Sequence, residues 1–270
     1  MFLKAAISNN FYLFNLATMT LHTLNTLSLI WIAIGVITFP FLLRITQPYG
    51  RHVTAKWGPM IGNKAGWIIQ ELPSLIFLTV FFLTGTGPKT NVAWFLWGMW
   101  ALHYINRSII FPLRTKTKGK KIPVLIVCSA ITFNFANGFL NGTYLGNFAG
   151  NYPENYFASL PFIIGLPVFI IGFFINNQAD TALINLRKPG ETGYKIPTGG
   201  MFNYISCPNH FGEIIEWLGF AIMAGSLPAW SFFIWALVNL VPRTLDHHKW
   251  YLKTFPDYPK NRKAVFPFIL

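Results

Sequence analysis

Charged side chains are scarce in this sequence. Asp, Glu, Lys and Arg make up 11% of the 270 residues, and the acids number only eight, where a soluble domain devotes roughly a quarter of its residues to charge. A chain of this length folded in water would have too few charges to cover its surface, so a soluble globular protein is excluded. Cysteine is equally sparse. Cys128 lies in an apolar run and Cys207 in a polar one, a pair that forms no motif and implies no disulfide framework. Metal-ligand spacings are missing too. There is no HxxxH and no CxxC, and on a helix the adjacent His247 and His248 diverge by ~100°, so no metal is expected. Gly85-Thr86-Gly87 resembles the start of a dinucleotide fingerprint, but Pro88 follows and the stretch joins two apolar runs, which makes it a turn. No short apolar segment with a small-residue cleavage site precedes the first long run, so no signal peptide is expected. No internal repeat is visible, which argues against the inverted-repeat plan of many transporters.

What the chain has instead is apolar length. Apolar residues account for 53% of positions and aromatics for 17%, and several runs reach the ~20 residues that a bilayer-spanning helix needs. Hydropathy predicts seven spans near 24–44, 65–84, 91–113, 123–143, 158–177, 212–226 and 228–242, the last two joined by a hairpin at Ser226-Leu227-Pro228. The stretch 2–21 is also apolar, but Ser8, Asn9, Asn10 and Asn15 interrupt it, and it reads as an interfacial or re-entrant segment. Eighteen of the 21 Lys and Arg lie in alternate connections: between spans one and two, between three and four, after five and after seven. Lys and Arg concentrate on the cytoplasmic side of a membrane. The expected fold is therefore an all-α integral membrane protein with seven transmembrane helices, N-terminus outside and C-terminus cytoplasmic, in a bacterial inner membrane or the endoplasmic reticulum. The net charge of +13 belongs to those loops, and no nucleic-acid partner is expected.

Ionisable groups inside a membrane are costly, about 2.5–3.5 kcal/mol each on insertion scales, so each one raises a question of function. In span two, Trp67, Gln70, Glu71 and Ser74 share one helical face; in span three, Tyr104, Arg107 and Ser108 share another, extended by Trp97 and Trp100. At ~1.5 Å rise per residue, Glu71 lies ~10 Å and Tyr104 ~14 Å from the cytoplasmic ends of their spans, depths that let both face one pocket. Span four adds a stripe of Asn134, Asn137 and Asn141. Interhelical hydrogen bonding and a functional pocket are both open for these groups. A carboxyl in apolar surroundings stays protonated and donates a hydrogen bond.

The segment 176–216 is polar and rich in glycine. It holds Asn176, Asp180, Arg187, Lys188, Glu191, Tyr194, Lys195, Asn209, Glu213 and Glu216, with Gly190, Gly193, Gly199 and Gly200. Cations and backbone amides for phosphates, with carboxylates and amides for ribose or ring, are what a polyanionic cofactor requires; an ordinary solvated loop is the alternative.

At these residues the sequence resembles the membrane steroid 5α-reductase family. The matching stretches are Gln70-Glu71-Leu72-Pro73-Ser74, His103-Tyr104, Leu186 to Glu191, Tyr194-Lys195-Ile196-Pro197 with Gly199-Gly200, Asn209 with Gly212 to Trp217, and His247-His248 through Tyr251-Leu252 to Tyr258-Pro259. The likeness runs from about residue 65 to the C-terminus and leaves out 1–23. It implies a single reductase domain in which 1–23 is an extension, 176–212 a cytoplasmic cofactor-binding loop and 243–270 a cytoplasmic tail. It implies NADPH as cofactor and a 3-oxo-4-ene steroid or other hydrophobic enone as substrate, handled by a monomer among membrane lipids. Carried over by position, Glu71 and Tyr104 hold the substrate carbonyl, with Gln70 supporting Glu71 and Trp67 lining the steroid site. Asn176, Asp180, Arg187, Tyr194, Lys195, Asn209, Glu213, His247, Tyr251 and Lys120 would hold the dinucleotide. Lys120 and Lys195 stand where the family often has arginine, which keeps the charge without a bidentate fork, and His210 replaces a more usual aromatic ring. A relative acting on enoyl-thioesters or polyprenol-type lipids is the competing enzyme reading. A membrane methyltransferase would have no use for the Glu71–Tyr104 donor pair. A non-catalytic lipid-binding or transport protein would not need the polar block.

Overall fold

In the computed structural model, which describes residues 19–117, 119–188, 191 and 193–270, the apolar runs fold into seven long helices. They are α1 (Leu21–Leu42), α2 (Asn63–Thr84), α3 (Asn91–Ile105), α4 (Val124–Asn147), α5 (Leu160–Asn185), α6 (Pro208–Ala224) and α7 (Leu227–Thr254). Most of the apolar stretch 2–21 lies outside the described residues. On length and composition, α1, α2, α4 and α5 are each able to cross a membrane, and the chain is an all-α, multi-pass membrane protein.

Local chemistry sets the starts and stops. Thr20 and Thr90 accept the third backbone N–H beyond them, at 3.1 and 3.2 Å, and so cap α1 and α3. Gly225, left-handed at φ 54°, ends α6, and Ser226 caps α7 straight after it. Two helices outrun their predicted spans. α5 continues to Asn185 and α7 to Thr254, so parts of the segments read as cofactor loop and tail are helical extensions beyond the apolar stretch. A second difference lies in α3, where the backbone loosens into a π-turn over Asn106–Ile110 before ending as Phe111–Arg114. Two short antiparallel strands, β1 (Met60–Gly62) and β2 (Lys121–Pro123), join the α1–α2 connection to the α3–α4 connection, with Ile61 opposite Ile122.

Glycine seams hold the helices in two tight pairs. On α4, Gly138, Gly142 and Gly146 recur every fourth residue and lie on the backbone of α2, where a Cβ at Gly142 would stand 2.6 Å from the Leu78 carbonyl oxygen. On α5 and α6, Gly165 faces Gly219 and Gly172 faces Gly212. Small residues that let backbones touch are the ordinary means of helix association where lipid removes the hydrophobic drive. The Asn stripe of α4 proves to be interhelical. Asn134 Nδ2 donates to the Gln70 carbonyl of α2 at 2.6 Å, Asn137 Oδ1 accepts from Trp31 Nε1 of α1 at 3.1 Å, and Asn141 Nδ2 reaches the Pro228 carbonyl of α7 at 3.3 Å. Between the pairs, α3 contributes Trp100, fully buried against Trp217 of α6 and Phe232 of α7 at ring separations of 5.1 and 4.6 Å.

The seams make a direct prediction. Gly142→Leu should destabilise the protein by about 1–3 kcal/mol, the cost of overpacking a fitted interface. The half-buried Gly98, where an added Cβ meets nothing within 4 Å, should accept alanine without loss. Thermal unfolding midpoints of both variants in the same detergent check this.

Candidate active site

The turn at residues 85–90 folds α3 back along α2, and together with α1, α4, α6 and α7 they line a cavity of about 660 Å³. Trp67, Gln70 and Glu71 line it from α2, Tyr104 and Arg107 from α3, and Glu213 and Trp217 from α6, while Trp31, Phe133 and Phe232 supply an apolar wall. The acid and the phenol read from sequence as similar in depth therefore share one chamber. Pro73 sits inside α2 and has no N–H for the turn that carries Gln70 and Glu71. Gln70 Nε2 donates to Glu71 Oε1 at 2.9 Å, which orients the carboxyl. Tyr104 is 4% exposed and stacks on Trp100 at 5.3 Å, so the phenol is fixed by aromatic packing rather than by solvent. Trp67 meets Phe111 edge-on at 5.7 Å.

Arg107 ties three helices together. Its Nη1 donates to Asp180 Oδ2 of α5 at 3.2 Å, and its Nη2 lies 3.7 Å from Glu213 Oε2 of α6, within ion-pair but beyond hydrogen-bond distance. The guanidinium also sits 4.9 Å from the ring centroids of both Trp67 and Phe111, a separation at which cation–π attraction operates. Asn176 Nδ2 donates to the Asn209 carbonyl at 2.9 Å, closing α5 onto α6 beside this group. One turn deeper, His103 Nδ1 and Glu216 Oε1 stand 2.9 Å apart, both buried.

A second cluster lies where the α1–α2 connection meets the far end of α7. Arg51 Nη2 donates to the Tyr251 hydroxyl at 3.3 Å, and its guanidinium sits over Tyr251 and Trp250 at 4.4 and 4.7 Å. Tyr194 joins from the other side, its hydroxyl accepting from Lys120 Nζ at 3.3 Å. His52 Nε2 and His247 Nδ1 stand within hydrogen-bond distance at 3.1 Å, and burial beside Arg51 pushes the His52 imidazole below its usual range. Arg243 bonds the Tyr49 hydroxyl with its guanidinium over the same ring, at the edge of the cavity. His210 bonds Thr244 Oγ1 at 2.6 Å and stacks on His247, so it braces α6 against α7.

Of the residues singled out by sequence, Trp67, Gln70, Glu71, Tyr104 and Glu213 line the cavity. Asn176, Asp180 and Asn209 gather around Arg107, and Tyr194, His247, Tyr251 and Lys120 around Arg51 and His52. Two stand apart. Lys195 is engaged by Glu191 at 2.5 Å on an exposed loop, and Arg187 contributes its carbonyl to Lys116 Nζ at 3.0 Å. Tyr49, Arg51, Arg107 and Arg243 were not among the expected site residues. Arg107 shared a helical face with Tyr104, a usable signal; Arg51 and Arg243 registered only as loop charges. Among the described residues no group of three His, Cys, Asp or Glu is placed to hold a metal.

A family model described as 3-oxo-5-alpha-steroid 4-dehydrogenase matches residues 120–270. Steroid 5-alpha-reductase DET2 of Solanum lycopersicum is 41% identical over 236 residues, covering 86% of this chain and 91% of the relative. The same-named protein of Gossypium hirsutum is 38% identical over 238 residues, 86% of this chain and 92% of the relative. Bos taurus 3-oxo-5-alpha-steroid 4-dehydrogenase 1 is 38% identical over 252 residues, 92% and 97% of the two chains. With a membrane helix bundle, an acid and a phenol in one apolar chamber and relatives of this similarity along most of its length, the chain belongs to the 3-oxo-5-alpha-steroid 4-dehydrogenase family and is a membrane oxidoreductase acting on CH–CH bonds.

Proposed function

We propose that this chain reduces the conjugated carbon–carbon double bond of a 3-oxo-4-ene steroid with NADPH. The names of its relatives support the substrate class, and the observation that carries the chemistry is Glu71 beside Tyr104 in a largely apolar cavity. NADPH, when bound, supplies a hydride for the β-carbon of the enone. As that carbon is reduced, negative charge builds on the carbonyl oxygen, and two preorganised donors at that oxygen stabilise the enolate. Glu71, its Oε1 occupied by Gln70, and the Tyr104 phenol are those donors. The enolate then takes a proton at the α-carbon, completing the saturated ketone.

The residues present fit the cofactor. Glu213 Oε2 is buried without a hydrogen-bond partner, and so is one guanidinium nitrogen of Arg51; a carboxylate for an amide or hydroxyl and a cation for a phosphate are the partners a dinucleotide requires. Asn176, Asp180 and Asn209 would hold it near Arg107, and Tyr194, His247, Tyr251 and Lys120 near Arg51. Seven spans, N-terminus outside, put the α5–α6 connection and the end of α7 on the basic, cytoplasmic side.

Three outcomes are expected. Tyr104→Phe and Glu71→Leu should each lower single-turnover reduction of a 3-oxo-4-ene steroid by about 10²–10³, or about 2.7–4 kcal/mol of transition-state stabilisation, while a separate titration finds NADPH binding retained. Glu71→Gln, which still donates, should exceed Glu71→Leu; near-normal turnover in Tyr104→Phe and Glu71→Leu alike returns these residues to a structural role. NADPH should bind more tightly than NADH at moderate salt, because Lys116, Lys120 and Arg51 face the side on which a 2′-phosphate adds charge. Equal affinities would count against the assignment. Single cysteines at Asn151→Cys and Lys116→Cys should label from opposite sides of sealed vesicles, the second from the cytoplasmic side, and labelling of both from one side contradicts the orientation.

A further inference from the structure

The stretch 264–270 closes against the start of α6 and holds two large apolar side chains away from the protein. Val265 is fully buried in the core, and Phe266 packs edge-on against Phe211 of α6 at 6.2 Å. The backbone amides of Ser206 and Cys207 donate to the Ala264 carbonyl at 3.2 and 3.3 Å, and those of Val265 and Phe266 to the Leu270 carbonyl, both at 2.8 Å. On this fixed turn Phe268 is 79% and Ile269 81% exposed. Phe268 is also the one non-glycine among the described residues with a positive φ, 65°, a conformation disfavoured for any residue with a Cβ. Tight backbone closure and strain combine to hold a phenyl ring outward.

The level of this turn along the helix bundle identifies what meets it. Gly212, next to Phe211, lies backbone to backbone on Asn176 of α5, and Phe174, two residues earlier on α5, is 66% exposed on the outer face of a membrane helix. Along the bundle axis, Phe211 therefore lies within about one helical turn, ~5.4 Å, of the level of a lipid-facing phenylalanine. Tyr204, half exposed, places its ring 5.8 Å from that of Phe268, and Lys260 and Lys263 are exposed on the same tail. Apolar side chains outermost, an amphipathic tyrosine beside them and lysines behind are the arrangement of a segment seated at the boundary of acyl chains and headgroups.

We propose that Phe268 and Ile269 form a wedge that inserts into the bilayer interface at the face where α5 ends and α6 begins, with the lysines against anionic headgroups. The wedge fastens more than the tail itself. Arg262 Nη1 donates to the Pro197 carbonyl and the Lys263 amide to that of Tyr204, both at 2.9 Å, so the bilayer steadies the connection between α5 and α6 through it.

The test uses the full chain with Cys128→Ser, leaving the buried Cys207, in nanodiscs containing anionic lipid. A polarity-sensitive fluorophore is attached at Phe268→Cys, Ile269→Cys or the exposed tail position Asp257→Cys. The wedge predicts blue-shifted emission at 268 and 269, quenched several-fold more by nitroxide-bearing lipid than by aqueous iodide, with the reverse preference at 257. Iodide quenching at all three sites overturns the proposal. So does lipid quenching at all three, which would mean that the dye and not the turn seeks the bilayer.

Discussion

A cation buried among membrane helices has no water to answer it, and the arrangement of this site follows from how Arg107 is answered. Asp180 of α5 and Glu213 of α6 meet its guanidinium, and the rings of Trp67 and Phe111 cover its faces. Removing one partner from such a group leaves an uncompensated charge, at a cost of about 3–5 kcal/mol. The same side chain that pairs with two acids thus fixes α3 with respect to the α5–α6 pair. Tyr104, one turn away on α3, takes its position against Glu71 from that placement. Glu71 belongs to the other helix pair, so the cavity draws its acid and its phenol from different parts of the bundle.

Much of this was legible in the sequence, for reasons that can be traced. Apolar runs long enough to span a bilayer mark the helices because lipid offers backbone groups no partner other than one another. The depth match of Glu71 and Tyr104 needed only a constant rise per residue, and both residues do line one cavity. The ends of α5 and α7 were misjudged because hydropathy reports what side chains border, not where backbone hydrogen bonding stops. Asp180 and His247 sit on helical extensions for that reason.

Other parts were illegible because they depend on which faces turn toward each other. Glycines at 138, 142 and 146 are spaced like any small-residue stripe until the α2 backbone is seen lying on them. Arg51 looked like one loop cation among many, yet three aromatic rings surround it. The connection after α1 carries Tyr49, Arg51 and His52 to partners on α7 nearly 200 residues later in the chain, a pairing that no local pattern encodes. Lys195, expected beside a phosphate, is instead satisfied by its neighbour Glu191, a contact of the commonest helical spacing.

The π-turn in α3 has a consequence for how this helix tolerates change. An α-helix advances by ~100° per residue, and the wider turn at Asn106–Ile110 absorbs the equivalent of one extra residue. Deleting a residue within it would restore a regular helix with its flanks still in register, whereas tightening the turn with every residue kept would swing everything on one side of it around the axis relative to the other. Trp100 and Tyr104 would keep their aromatic neighbours while Phe111 and Arg114 turned away from theirs, or the reverse. The wide turn is what keeps Trp100 and Tyr104 before it and Phe111 and Arg114 after it each facing its own neighbours.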